Sequence, residues 1–290
     1  MSHRRDPLGP AFSTNFVKAQ RFIQISAAVP AERPDAPGRM LPIAFEHAPT
    51  PKKPRKDAAA EEKQRYKKQQ LQMKLSTRGV SLIHQLRRDL DADEPESERP
   101  LWMVVDGSYT NSTVLKNLPN NTILIGRVRK DAKLYHPWQE GQGRKKSYGE
   151  RAPSPEELRK DESVPWQRVE VFAAGKTHQM KVKQMAPVLW KNAGAKTPLK
   201  LIVIAPLGYR PKKGSRLLYR KPAYLICTDP NIDTAQAVKA YVLRWDIEVN
   251  HRDEKQLIGV GEAQVRNENS VELAPAFYVA AYSMLLLAGI

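Results

Sequence analysis

Four residues near the C-terminal end of the chain have the types and spacing to handle a phosphodiester: Tyr241, Arg244, Glu248 and Lys255, within AYVLRWDIEVNHRDEKQLIGVGE. At roughly 100° per residue they fall within about 60° of one another on a single helical wheel. One face of one predicted helix thus presents a phenol, a guanidinium, a carboxylate and an ammonium. A solvated face with an Arg244–Glu248 ion pair explains any single member of the set. The full spacing favours chemistry, provided a second carboxylate stands on a strand upstream.

LWMVVDGSYTN supplies one, since the apolar run Leu101 to Val105 reads as a buried strand ending in Asp106 and a turn. Sheet proteins place reactive groups where a strand gives way to its loop. The competing role for Asp106 is a cap on the short helix that NSTVLKNL predicts. Asp229, Asp233 and Asp246 also stand near the motif. Asp229 reads as a turn residue before proline, Asp233 as the N-cap of the motif helix, and Asp246 points away on the wheel.

With those residues in place, the chain resembles the bacterial insertion-sequence transposases of the DDE type, in the subgroup with a Tyr-Arg-Glu-Lys signature. All four signature positions match, and the resemblance extends over about residues 20–288. It implies an α/β fold, an RNase H-like mixed sheet flanked by helices, with a β-rich basic insertion between the second acid and the last. Asp106 and Glu248 then take the places of the second and third catalytic acids, and their separation of 142 in sequence suits the insertion-bearing members. The first acid should lie on a strand before QRFIQISAAVP. Asp6 is the acid available there, but MSHRRDPLGP has almost nothing apolar to bury as a strand. The first strand therefore reads as missing and the chain as N-terminally truncated. Ala276 to Ile290, an apolar stretch below the roughly 20 residues of a membrane span, reads as a core helix whose continuation is cut.

The resemblance also implies catalysis with Mg²⁺ or Mn²⁺ in a two-metal site held by Asp106 and Glu248. Tyr241, Arg244 and Lys255 would position DNA phosphates, and Trp245 would stack on a base or pack in the core. The implied activity is DNA strand cleavage followed by 3′-OH strand transfer. The implied partner is double-stranded DNA, transposon ends and target alike, bound by a homodimer in the nucleoid-associated bacterial cytoplasm, with no membrane involved. Two other readings share these residues: a catalytically inactive DNA-binding remnant and a stand-alone RNase H-like nuclease.

Charge agrees with a polyanionic partner, because the chain carries a formal net charge of +17. Residues 121–221 hold 23 Lys and Arg against 8 Asp and Glu. Two basic stretches with interleaved tyrosines stand out there, GQGRKKSY at 141–148 and RPKKGSRLLYRK at 210–221, both suited to backbone phosphates. The basic PKKPRK at 51–56 reads as a phosphate-facing or solvated loop rather than a nuclear address. A single cysteine, Cys227, excludes an internal disulfide, and the N-terminus has no apolar signal-peptide region.

The elements that must position these residues follow from the pattern. Strands are expected at residues 21–28, 40–47, 101–105, 122–128, 168–174, 199–206 and 223–228, and one helix at about 59–90. Three segments result: 1–128 as the first part of the core, 129–221 as the basic β-rich insertion, and 222–290 as the second part with the motif helix.

Overall fold

A computed structural model describes residues 2–5, 15–29, 38–139, 146–173, 175–210, 212, 214–263, 265 and 267–289. The chain folds as two compact units, one of residues 1–29, 39–81 and 246–290, the other of residues 30–38 and 82–245. The first unit opens with β1 (Ser2–Arg5) and β2 (Phe16–Ala19), an antiparallel pair, so the polar segment not expected to form a strand does form one, held by backbone pairing. Next, β3 (Phe22–Val29) and β4 (Arg39–His47) pair antiparallel over their full length, as their β-branched and aromatic content suggests. Phe22 and Phe45 stack across this hairpin with ring centroids 4.6 Å apart.

The single helix expected at 59–90 is two helices, α1 (Ala60–Gln72) and α2 (Leu75–Asp93). The break at Met73 and Lys74 separates a polar helix that buries nothing from one that buries Ser76, Leu82, Ile83 and Arg87. A change from no apolar face to a defined one marks the end of one helix and the start of the next.

The second unit is α/β, a mixed seven-stranded sheet flanked by helices. β5 (Leu101–Val105) runs parallel to β6 (Thr122–Arg127), with the four-residue helix α3 (Ser112–Leu115) in the crossover. β7 (Leu134–Tyr135) and α4 (Pro155–Lys160) precede three long strands: β8 (Gln167–Ala173), β9 (Lys176–Trp190) and β10 (Gly194–Ile204). A small hairpin of β11 (Gly208–Tyr209) and β12 (Leu218–Tyr219) leads to β13 (Ala223–Cys227). Strand order is β5-β6-β13-β10-β9-β7, with β8 on β9. The strands of the basic segment thus continue the sheet that holds β5 and β6. β9 has no counterpart among the expected strands; its lysines and internal Pro187 disguise a period-two pattern.

α5 (Thr234–Leu243) covers this sheet. Its Ala237, Val238 and Tyr241 are buried with Ile125, Val171, Val182, Ile202 and Leu225. Asp233 caps α5, accepting from the Gln236 N–H at 2.8 Å, as the sequence implied. In the first unit, α6 (Asp246–Gln256) and α7 (Glu268–Ala288) both contact β4. Asn250 donates to the Met40 carbonyl and Ser283 to that of Pro42.

At 21 residues α7 is longer than the apolar stretch suggested, and Asn269–Ala288 is long and apolar enough to cross a membrane. Val279 and Tyr282 are buried in the first unit, but Leu273, Phe277, Met284, Leu285 and Leu287 are exposed, so the helix is not the buried core helix that the apolar stretch suggested.

A polar network fixes α4 to the sheet. Arg159 donates two hydrogen bonds to Glu156, at 2.6 and 2.8 Å, and the Tyr224 hydroxyl donates a third. These bonds hold the Glu156 carboxyl at about 2, below its ordinary 4.5, while burial and the same carboxylate push Tyr224 up to about 12. Because the folded-state value is the lower, the network stabilises fully above pH 4.5 and the gain is lost as pH falls toward 2. At this partly exposed site the gain is screened to about 1 kcal/mol. Glu156→Gln is therefore expected to lower the melting temperature at neutral pH and to converge with wild type near pH 2 in thermal melts.

Candidate active site

Asp106 is the first residue beyond β5 and is exposed. Its carboxylate accepts a hydrogen bond from the Ser108 hydroxyl at 3.3 Å, and its backbone carbonyl accepts from the Tyr109 N–H at 2.9 Å. It does not cap α3. Asn111 does, accepting from the Thr113 and Val114 N–H groups at 2.9 and 3.2 Å. The competing structural role for Asp106 is thus filled by another residue, and its carboxylate stays at the surface.

The β5–β6 register sets its surroundings. Val105 pairs with Gly126 in parallel, so Asp106, just past β5, follows on beside Arg127, the last residue of β6. Gly126 lets the strands and the following turn close up: a Cβ there would lie 2.1 Å from the Thr110 hydroxyl oxygen and 2.9 Å from a Val105 methyl. Arg127 is a site residue that the motif spacing does not reveal. Its signal is present in TILIGRVR, an apolar run parallel to LWMVV and ending, like it, in a charged residue.

Tyr241 is 6% exposed and belongs to the core beneath α5. Burial pushes its phenol up, opposed by Arg127 and Arg244 and reinforced slightly by the Asp106 charge. Asp106, Arg127 and Arg244 are thus each within electrostatic reach of the Tyr241 phenol, near the end of β5 and β6. The Arg244 guanidinium lies 5.8 Å from the Tyr241 ring centroid and 5.9 Å from that of Trp245. Trp245 is 46% exposed, and Arg220 stands 5.7 Å from its ring and 5.3 Å from that of Tyr209. One side of the second unit therefore joins an acid, three arginines and a half-exposed indole.

The single motif helix is corrected. Tyr241 is in α5, Arg244 is its C-cap, and Glu248 and Lys255 are in α6. The Trp245 N–H bonds the Val242 carbonyl, three residues back, where a continuing α-helix would reach four back. Burial explains the break. On one continuous wheel Asn250 and Glu254, buried in α6, stand roughly opposite Tyr241, buried in α5. Each helix turns its inward face to its own unit, and the division between units falls between Trp245 and Asp246. Glu248 and Lys255, seven residues apart, still share a face of α6, and both are exposed.

Other acids near the motif have local explanations. Asp229 accepts from the Asn231 N–H at 2.8 Å, and burial pushes the Asp246 carboxyl up. Glu254 is buried beside His251, 3.2 Å away. Asp6, residues 141–145 of the first basic stretch, and residues 211 and 213 of the second lie outside the described residues, while Tyr148 packs on Tyr135 with ring centroids 5.3 Å apart. Among the described residues no group of three or more His, Cys, Asp or Glu is gathered to hold a metal ion. A scan against protein-family models finds no match, and no curated protein matches the chain.

Proposed function

We propose that the chain is the catalytic part of a DDE-type transposase with an RNase H-like core. It would cut DNA strands and join the 3′-OH ends to target DNA in the bacterial cytoplasm. The observation that carries this reading is the convergence of Asp106, Arg127, Tyr241 and Arg244 at one end of a parallel strand pair. The signature and the strand-end acid are independent features of the sequence, and two signature members stand where the acid is. Arg127 joins them through the strand register, and its guanidinium adds the fixed donors that phosphate oxygens require.

Each residue has a part suited to its chemistry. Asp106 offers hard carboxylate oxygens at an exposed strand end, and Glu248, on the sequence pattern, offers a second set; in type both fit Mg²⁺ or Mn²⁺. Such ions, when bound, supply activation of the attacking oxygen and charge stabilisation of the leaving one. Arg127 and Arg244, with no acceptor capacity, hold phosphates next to the cut. Tyr241, its ring centroid 5.8 Å from the Arg244 guanidinium, helps to hold that group in place. Trp245, flanked by two arginines, offers a stacking face for an unpaired base.

One observation favours the second reading, DNA binding without cleavage: two carboxylates are a short donor set for two divalent ions. β5, paired only with β6 among the described residues, leaves an edge beside Asp106 where a further acid-bearing strand could dock. Strand-transfer assays in Mn²⁺ separate the readings. A 3′-OH duplex end joined to plasmid by wild type and not by Glu248→Gln supports transposition. Cleavage without joining points to a nuclease, and DNA binding with neither product points to the inactive binder.

A further inference from the structure

The segment between β4 and α2 is built unlike the rest of the first unit. Its two ends are held by one side chain: Arg21 donates from Nε to the Ala48 carbonyl at 2.9 Å, and from Nη2 to those of Pro49 and Met73 at 3.4 and 3.3 Å. Ala48 is fully buried and returns a bond from its N–H to the Arg21 carbonyl at 2.7 Å. Beyond this clasp α1 buries no residue, and Ala59 at its start offers no side-chain cap. A 13-residue helix with neither packing nor a cap is marginal in water.

Its acids support only the first turn, at Glu61 and Glu62, and its last turn has no base. Lys52, Lys53, Arg55 and Lys56 are exposed in the connector, and Lys63, Arg65, Lys67 and Lys68 are exposed on α1. Residues 52–68 carry three acids against these eight bases. None of the eight makes an ion pair among the described residues. Lys63 and Lys67, four apart, repel each other along one face. A surface that gains helix stability when its positive charge is neutralised calls for a dense polyanion.

We infer that residues 50–72 form a clasped arm that binds the phosphate backbone of duplex DNA, extending the contact surface of the proposed transposase. The inference takes its substrate class from that reading. Charge complementarity commits it to DNA: a duplex presents one phosphate charge per roughly 1.7 Å, a density that an unpaired basic arm matches. A lipid surface is the poorer fit, because an interfacial helix needs an apolar face. The large apolar side chains of α1, Tyr66 and Leu71, stand about 140° apart on the wheel and make no such face.

The test uses the full chain and a fluorescein-labelled 30-base-pair duplex of arbitrary sequence, with anisotropy followed over a NaCl series. Replacing Lys52, Lys53, Arg55 and Lys56 by Gln in one variant, and Lys63, Arg65, Lys67 and Lys68 in another, is expected to weaken binding about tenfold or more at low salt. The log–log salt slope should become shallower by about 0.9 for each phosphate that the arm no longer neutralises. Unchanged affinity and slope in both variants overturn the arm, as does binding only to phosphatidylserine vesicles. Should a variant fold poorly, lysine acetylation of wild type gives the same answer, since DNA is expected to protect Lys63 and Lys67 severalfold, and undiminished labelling overturns the inference. Strand joining is scored separately. An active enzyme with an unaffected slope sinks the arm alone, and an inactive chain with a shallower slope in the variants sinks the transposase reading alone.

Discussion

Asp106→Asn is expected to abolish strand cleavage and joining while leaving the fold and duplex binding nearly unchanged. The substitution keeps size and shape and removes a negative charge, so it isolates the carboxylate. Asp106 is exposed and, among the described residues, caps no helix and has one side-chain hydrogen bond, that from Ser108 at 3.3 Å. Its stability cost should stay within about 0.5 kcal/mol, as at ordinary surface sites. The catalytic cost is set by the divalent ions that the carboxylate would help to hold, worth several kcal/mol of charge stabilisation. A loss of about 4 kcal/mol corresponds to roughly a thousandfold in rate. Quenched-flow or gel-based cleavage in Mn²⁺, alongside thermal melts, checks both halves. A variant that melts early would instead make Asp106 a structural residue, and one that cleaves at the wild-type rate would remove it from the chemistry.

The second large effect lies one strand away. Gly126→Ala places a methyl 2.1 Å from the Thr110 hydroxyl oxygen, 2.9 Å from a Val105 methyl and 3.3 Å from the Thr110 Cβ. Thr110 and Val105 are both buried, and a short β-branched side chain has little room to turn away. The strands must separate or the turn after Asp106 must move, and overpacking of this kind costs about 1 to 3 kcal/mol. Denaturant titration measures that loss. The same displacement shifts Asp106 against Arg127, so the folded fraction should also lose activity beyond what its stability explains. Gly126→Ala with wild-type stability and rate would show that the close approach is dispensable.

What the sequence makes legible depends on what each residue answers to. The β5, β6 and β13 strands are legible because each is a short apolar run bounded by turn or charged residues. Asp233 is legible as a cap because capping is a local bond. The α5–α6 break is not, because AYVLRWDIEVNHRDEK keeps helical propensity throughout. The break comes from Tyr241 and Asn250 being buried in different units, a demand that no local window contains. β9 is hidden for a similar reason. Lys183 reads as a surface residue, yet it is 2% exposed, with its ammonium donating to the Leu158, Arg159 and Asp161 carbonyls at the end of α4. Arg127 needs the parallel register between two strands, which fixes the neighbours of Asp106 and cannot be read from either strand alone.

The most direct test is whether the purified chain joins DNA ends. A duplex with a free 3′-OH end is incubated with supercoiled plasmid, with Mn²⁺ or with chelator, and joined products are resolved on a gel. The expected result is plasmid carrying the labelled end, formed in Mn²⁺ and absent with chelator. Stable binding of the duplex with no metal-dependent cleavage or joining would contradict the assignment of Asp106 and Glu248 to phosphoryl transfer, and would leave a protein that holds DNA without cutting it.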